Sequence, residues 1–408
     1  MKNGGVRILA SVLPGLGHLN PMVPLLRELA GRGHEVEVVV PPPFTPYVER
    51  VGLRAAGLGP EWTEAQIDDV YPGWHDLVGA AQLIVWTEFA TRFEPHLREY
   101  VEAARPDVIV HDHFEFAAWL VGERLGIPWV PYAMTARALD PVLLALTEAT
   151  DAVNTMREAA GLPPEEGQCS GAQWLYLDAL PPSLTSGLLP PGPTVHHVRH
   201  VADDRTGSTT GLPATVVDRR GDRPLVYVTL GTIFNRAATV MARLIAGAGR
   251  VDADVLVTVG EHGSIPESIP PNVTVERYVP QAELYPHLSA VVCHGGFGTA
   301  FGSIAHSLPV TSAPIAADQP LNAALIAMVG AGCNLATGLP EGAMFPILDE
   351  GEPDPDAVAA AIEQMIEDET MRASAARLAD EMASGRTVVE AADLVEQVVQ
   401  TGTPVFRE

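Results

Sequence analysis

Three strand-to-helix junctions carry the residues whose types and spacing suit chemistry. The first, Leu13-Pro14-Gly15-Leu16-Gly17-His18-Leu19-Asn20-Pro21, puts a histidine where a sheet edge passes into a helix. Ligands of open α/β sheets bind at such edges, facing backbone N–H groups and the positive end of the helix dipole. The turn is not a dinucleotide fingerprint. Asn20 stands where the third glycine belongs, and Pro41 to Pro43 stand where an acid should close the second strand. That disfavours a nicotinamide oxidoreductase. A histidine here becomes a general base if a carboxylate holds one ring nitrogen, fixing the tautomer and stabilising the imidazolium. Asp112, closing the run DVIVHD, is the candidate partner. Strand alternation turns His111 and His113 to the face opposite Asp112, which argues against a metal site there.

The second junction, Thr229-Leu230-Gly231-Thr232, offers a hydroxyl and N–H groups to an anion. In the third, His294-Gly295-Gly296-Phe297-Gly298-Thr299, glycines permit close backbone approach and His294 can donate to a phosphate oxygen. Asp318 and Gln319 open the next helix and suit vicinal hydroxyls of a sugar. Together the last two features suggest a sugar diphosphate. His196, His197 and His200 look like a metal cluster but lack an acid at fixed spacing, so they read as solvated. Asp252-Ala-Asp254 precedes a strand and Asp354-Pro-Asp356 caps a helix, so neither DxD pattern reads as a metal site.

The elements that must position these groups emerge from periodicity. Arg7 to Val12, Glu35 to Val40, Asp107 to Asp112, Ile127 to Tyr132, Leu225 to Gly231, Asp254 to Gly260, Val273 to Val279, Ala290 to Gly296 and Pro309 to Ile315 read as buried strands. Helical spacers separate them, the first from Pro21 to Arg32, and three helical patterns come after Asp354. The expected fold is α/β, with doubly wound parallel sheets covered on both faces. Periodicity fades between about Leu180 and Arg223, marking a linker. The expected division is an N-terminal domain over 1–200, a linker over 201–223, a C-terminal domain over 224–386 and a last helix over 387–408. All six tryptophans lie before the linker, which suggests that the first half handles something bulky and apolar.

With 408 residues, 47% hydrophobic and 19% charged, the chain has room for two cores. Its net charge of −26 repels phosphate backbones and anionic lipid surfaces, so a nucleic-acid binder is excluded. The three cysteines, Cys169, Cys293 and Cys333, form no CxxC pair, which fits a reducing cytoplasm. The apolar run at the start is too short for a signal peptide, and no stretch reads as a membrane span.

The blocks GHLNPMVPLLRELAGRGHEV, TLGTIFN, RYVPQAELYPHLSAVVCHGGFGTAFGSIAHSLPV and APIAADQPLNAALI resemble the GT-B-fold, inverting glycosyltransferases of family 1. The likeness is particularly to bacterial enzymes that glycosylate antibiotics and other natural products of the macrolide type, and it covers nearly the whole chain. It implies two Rossmann-like domains facing a central cleft, with the last helix crossing back to the N-terminal domain. By this resemblance His18 is the general base and Asp112 its partner, Val279 and Gln281 contact the nucleobase, and Thr232, His294, Gly295, Gly296, Gly298 and Thr299 hold the diphosphate. Asp318 and Gln319 then contact the transferred sugar. Composition and analogy together place Trp62, Trp74, Trp86, Phe89, Phe93, Phe114 and Trp119 in the wall of an acceptor site.

One departure is informative. UDP-sugar enzymes of the family commonly carry glutamate at the position of Gly302, where it binds ribose hydroxyls; glycine there fits a dTDP-sugar, whose deoxyribose lacks the 2′-hydroxyl. The expected reaction is transfer of a deoxysugar, with inversion and without a metal or resident cofactor, to a hydroxyl of an apolar aglycone such as a polyketide. A UDP-dependent glucosyl or hexosaminyl transferase acting on an antibiotic or lipid is the enzymatic alternative. A sugar-nucleotide-binding auxiliary of another transferase is the non-enzymatic one, disfavoured because a silent partner needs no base. The expected partners are a small-molecule aglycone and a nucleotide sugar, with a homodimer left open.

Overall fold

The computed structural model describes residues 5–59, 80–135, 150–165, 172–185, 191–201, 211–219, 222–231, 238–260, 263–266, 268–339, 345–348 and 351–407. The chain divides into two compact units, Met1–Thr206 with Ser384–Glu408, and Gly207–Ala383.

In the first unit the elements run β1 (Arg7–Ser11), α1 (Leu16–Gly31), β2 (Glu35–Val40), α2 (Thr45–Arg50), β3 (Arg54–Gly57), α3 (Ala80–Ala104) and β4 (Val108–Asp112). They continue with α4 (Phe116–Leu125), β5 (Trp129–Ala133), α5 (Thr150–Ala159), β6 (Tyr176–Asp178), α6 (Pro182–Thr185) and β7 (Val195–His197). The seven strands pair in parallel in the order β3-β2-β1-β4-β5-β6-β7. The order reverses between β1 and β4, the kind of place where open α/β sheets bind ligands. Beneath it, α3 presents Phe89, Phe93, Leu97 and Val101 at four-residue spacing, so one helical face enters the core against Leu9, Val39, Ile109 and the apolar run Phe116–Val121 of α4. Burying each large apolar side chain contributes roughly 1.5–3 kcal/mol. Gly59, at φ +87°, lets the chain pass over Phe93, whose ring a Cβ would meet at 2.5 Å.

The second unit runs α7 (Ala214–Val217), β8 (Leu225–Thr229), α8 (Ala238–Ala248), β9 (Asp254–Thr258), β10 (Val273–Glu276), α9 (Gln281–Leu284) and β11 (Ala290–Cys293). Then come α10 (Phe297–Ile304), β12 (Val310–Ser312), α11 (Gln319–Met328), β13 (Gly332–Asn334), α12 (Pro355–Glu367) and α13 (Glu369–Ser384). Six parallel strands pair as β10-β9-β8-β11-β12-β13, reversing between β8 and β11. Val226 and Val228, Val255 and Val257, and Ala290 and Val292 each stand two apart, so they share one face, and that face packs on α8 and α12.

The last helix, α14 (Val388–Thr401), belongs to the first unit. It starts at a capping box, in which the Thr387 hydroxyl accepts the Glu390 amide and the Glu390 carboxylate accepts the Thr387 amide, and it stops at Gly402 in the left-handed region. Arg32 at the end of α1 donates to Asp393 at 2.7 Å and to the Val389 carbonyl at 2.8 Å, and His34 meets Glu396 at 2.7 Å. These bonds fix α14 alongside α1.

Three expectations need correction. Helix α1 begins at Leu16 rather than Pro21 and carries Pro21 and Pro24 inside it. Inside a helix proline removes an i→i−4 bond and its ring crowds the i−4 carbonyl, and burial of Leu19, Met22, Val23, Leu25, Leu26 and Leu29 on this helix offsets that cost. Strands β3, β6, β7 and β13 add to the expected set; they are three or four residues long and too short to show alternation. His196 and His200 are buried rather than solvated, and His196 Nε2 donates to the Val405 carbonyl. The linker expected over 201–223 falls partly outside the described residues.

Candidate active site

Parallel pairing sets Ser11 of β1 beside His111 of β4, so the turn leaving β1 lies next to the carboxyl end of β4. His18, in the first turn of α1, thereby reaches Asp112, with Nδ1 2.5 Å from Oδ2. Asp112 is fully buried and the His18 side chain 26% exposed. Gly15 brings the turn close to the ring, since a Cβ there would meet His18 Cδ2 at 3.1 Å. Asp112 Oδ1 accepts the Phe114 amide at 3.0 Å, so both carboxylate oxygens are engaged. Burial pushes the Asp112 carboxyl up, but the charge that His18 carries in the acid range where Asp112 titrates, its hydrogen bond, the charge His113 carries in that same range and the Phe114 amide outweigh it and leave it below the usual carboxylate range. The aspartate is therefore charged at neutral pH and can only accept, which puts a proton on His18 Nδ1 and, in the neutral ring, leaves the lone pair on Nε2.

The neighbours keep that charge focused on His18. Burial holds His111 and His113 near 4, so both are neutral. His113 Nδ1 accepts the Met134 amide at 3.1 Å. Glu115, buried just beyond Asp112, caps α4 by accepting the Ala117 and Ala118 amides, and burial raises it to about 7. Sequence reasoning missed it, although an acid just before an apolar helical run is a capping signal. Phe114 lies edge-on to His18 at 6.3 Å and also 6.3 Å from Trp86.

The second sheet repeats the geometry. Register puts Cys293 beside Thr229, so the turns after β8 and β11 are neighbours. The His294 ring sits between two glycines: a Cβ on Gly231, at φ +73°, would meet its Cε1 at 2.6 Å, and one on Gly296 would strike Nε2. Desolvation holds His294 near 4, so its ring is neutral. Gly296 caps α10, and Gly298, in the first turn, has open space where a side chain would be. Gly295, at φ +86°, lies under the Gln319 carbonyl.

Several predicted donor residues are used within the protein. Gln281 Oε1 accepts the Tyr285 hydroxyl at 2.9 Å and the Thr299 hydroxyl at 3.3 Å, while its Nε2 donates to Tyr227 Oη at 3.3 Å. Val279 is buried beside it. Gln319, 2% exposed, accepts the Ile315 and Ala316 amides and shapes the turn before Asp318. Ala317 in that turn takes φ +59°, a strained value for a residue with a Cβ. Asn322, which sequence reasoning missed, ties the two loops by donating to the Gly295 carbonyl at 3.0 Å and to Asp318 Oδ2 at 2.8 Å. Its place four residues after Asp318 is the helical spacing that could have found it.

Of the expected acceptor wall, Phe89, Phe93 and Trp119 are core residues at 3%, 4% and 1% exposure, with Arg157 stacked over Trp119. Their size fills the interior of the first unit, which accounts for them without a ligand. Trp86 and Phe114 are partly buried against the same core. Trp62, Trp74 and Thr232 lie outside the described residues. Asp252 and Asp254 pair with Arg223, and Asp354 caps α12. Among the described residues no group of three or more His, Cys, Asp or Glu side chains could hold a metal ion, and no helix is long and apolar enough to cross a membrane.

Residues 242–398 match the family model described as erythromycin biosynthesis protein CIII-like, C-terminal domain. The chain is 29% identical to 4′-demethylrebeccamycin synthase of Lentzea aerocolonigenes, over 97% of this chain and 100% of that one. It is 30% identical to the elloramycin glycosyltransferase ElmGT of Streptomyces olivaceus, over 82% of this chain and 87% of that one. The glycosyltransferase SsfS6 of Streptomyces sp. SF2575, whose crystal structure holds thymidine diphosphate, superposes with a TM-score of 0.72 at 22% identity, over 96% of this chain and 99% of that one.

Proposed function

The chain belongs to the GT-B-fold glycosyltransferases of antibiotic biosynthesis, and from that premise we propose that it transfers a deoxysugar from a dTDP-sugar, with inversion, to a hydroxyl of an apolar natural-product aglycone. The observation that carries the reading is the 2.5 Å pair between His18 and the buried Asp112. In the proposed step the acceptor oxygen attacks the anomeric carbon from the face opposite the diphosphate. The new C–O bond forms as the bond to the diphosphate breaks, and dTDP leaves with the electron pair. His18 Nε2 takes the acceptor proton while Asp112 stabilises the imidazolium. Negative charge growing on the leaving diphosphate meets the N-terminus of α10 and His294, whose glycine-lined seat sets the ring beside that turn.

The dTDP assignment is supported by Gly302, where a Cβ would meet the Tyr285 hydroxyl at 2.6 Å, so the space a ribose-binding carboxylate would use is filled. It is also supported by the thymidine diphosphate bound in the SsfS6 structure. Phe114, beside His18, and Trp86, beside Phe114, are the acceptor contacts this reading retains among the described residues. The step uses no metal. The test is a transfer assay with a dTDP-deoxysugar and polycyclic or macrolide alcohols, with the anomeric configuration of the product read by NMR. Inverted product whose rate is unchanged by EDTA is expected. Retained configuration, or activity abolished by EDTA and restored by manganese, overturns the scheme.

A further inference from the structure

A chain of buried hydroxyls runs beneath the second sheet's ligand edge. The Gly231 amide donates to Thr229 Oγ1 at 3.2 Å, Thr258 Oγ1 donates to Thr229 Oγ1 at 2.9 Å, and Tyr227 Oη and Thr258 Oγ1 lie 2.7 Å apart. Gln281 continues it, donating to Tyr227 and accepting from Tyr285 and Thr299. Tyr227, Thr229, Thr258, Tyr285 and Thr299 are each 7% exposed or less, and Gln281 is the partly exposed member. Three turns with separate expected tasks are thus joined: the turn after β8, the base-side turn at α9, and the first turn of α10.

Tyr285 holds the branch point. Its ring stacks on His306 at 4.8 Å, and its hydroxyl lies in the space left by Gly302, so it reaches Gln281 Oε1 without displacing α10. A glutamine amide restrained from two sides has one orientation, and a hydroxyl that donates to it is fixed as well. We propose that Tyr285 is a positioning residue of the donor site: seated over Gly302, it orients the Gln281 amide and, through it, the Thr299 hydroxyl, so that base recognition and diphosphate recognition are coupled. This rests on the donor reading above.

The test is calorimetric titration of purified wild type, Tyr285→Phe and Gly302→Ala with dTDP and with thymidine, alongside steady-state kinetics. Tyr285→Phe keeps the ring and removes only the hydroxyl. Gly302→Ala pushes the hydroxyl away while giving α10 a better helix former, so it covers the case in which the first variant fails to fold. The expected result is dTDP binding about tenfold weaker, the size of one hydrogen bond lost from a fixed network. Donor KM should rise by a similar factor with kcat within about twofold, and the loss should be greater for dTDP than for thymidine. A purely structural role would lower the melting temperature and leave that ligand-dependent difference absent. Wild-type affinity for dTDP in the folded variants, or equal losses for dTDP and thymidine, overturns the proposal. Failure of wild type to bind dTDP instead overturns the donor reading itself.

Discussion

Asp112→Asn is the substitution that separates a catalytic pair from a merely close one. Oδ1 accepts the Phe114 amide at 3.0 Å, so the asparagine oxygen must stay there and its NH2 group must face His18. An amide NH2 only donates. His18 Nδ1 must then accept, which moves the ring proton to Nε2 and removes the lone pair that takes the acceptor proton. Lost charge adds to the wrong tautomer. At an effective dielectric of about 20, full charges 2.5 Å apart attract by about 6–7 kcal/mol. Delocalisation over both groups roughly halves that, leaving about 3–4 kcal/mol, or a rate loss of about 100- to 1,000-fold before the tautomer is counted. The assay is the initial rate of dTDP release at saturating donor and acceptor, with dTDP affinity measured in parallel. The expected result is kcat down by at least 100-fold with dTDP binding within about twofold of wild type. His18→Ala should lose a comparable amount, and adding Asp112→Ala to it should cost little more, because a unit already broken cannot be broken twice. Folded Asp112→Asn protein that keeps more than a tenth of wild-type kcat would refute the reasoning.

Three other substitutions or conditions probe the same structure. Gly296 has φ −64° and ψ 144°, which alanine adopts freely, so Gly296→Ala acts by pushing on the His294 ring; dTDP affinity should fall at least tenfold by calorimetry, with the melting temperature lowered by a few degrees because the crowded ring must shift. Thr387→Ala breaks the capping box of α14 and should cost about 1 kcal/mol, or roughly 2–4 °C of melting temperature by differential scanning fluorimetry, with kcat little changed. His111, His113 and His294 are held near 4, so unfolding lets them bind protons: their contribution is complete above pH 6.5 and is lost as pH falls toward 4. Glu115 acts oppositely, its penalty growing as pH rises from about 4.5 to 7, which leaves a net loss of roughly 2–3 kcal/mol per pH unit on acidification near pH 5.5. Denaturant midpoints measured from pH 7 to 5 should therefore fall, and a flat or rising series contradicts the burial of these rings.

The strands that place the chemistry were legible because they are central and buried on both faces. VIVHD of β4 and LVYVT of β8 are continuous apolar runs that end within a residue or two of a polar group. Edge and near-edge strands such as β3 and β13 have mixed composition and owe their form to the neighbour they pair with. The type and spacing of His18 and Asp112 made them candidates, but their approach depends on β4 pairing next to β1, a non-local fact that no local pattern contains. The aromatic side chains misled for a related reason. Phe89, Phe93 and Trp119 have the composition of a binding wall and the burial of a core, and only packing distinguishes the two. The Gln281 network escaped for want of any motif, since its hydroxyls come from separate segments of the chain.

Calorimetric titration with dTDP and, separately, UDP, each with and without EDTA, tests the central claim most directly. Tighter binding of dTDP, unchanged by EDTA, is the predicted result. Preference for UDP would contradict the donor assignment drawn from Gly302, and binding of neither nucleotide would contradict the sugar-nucleotide site in the second sheet.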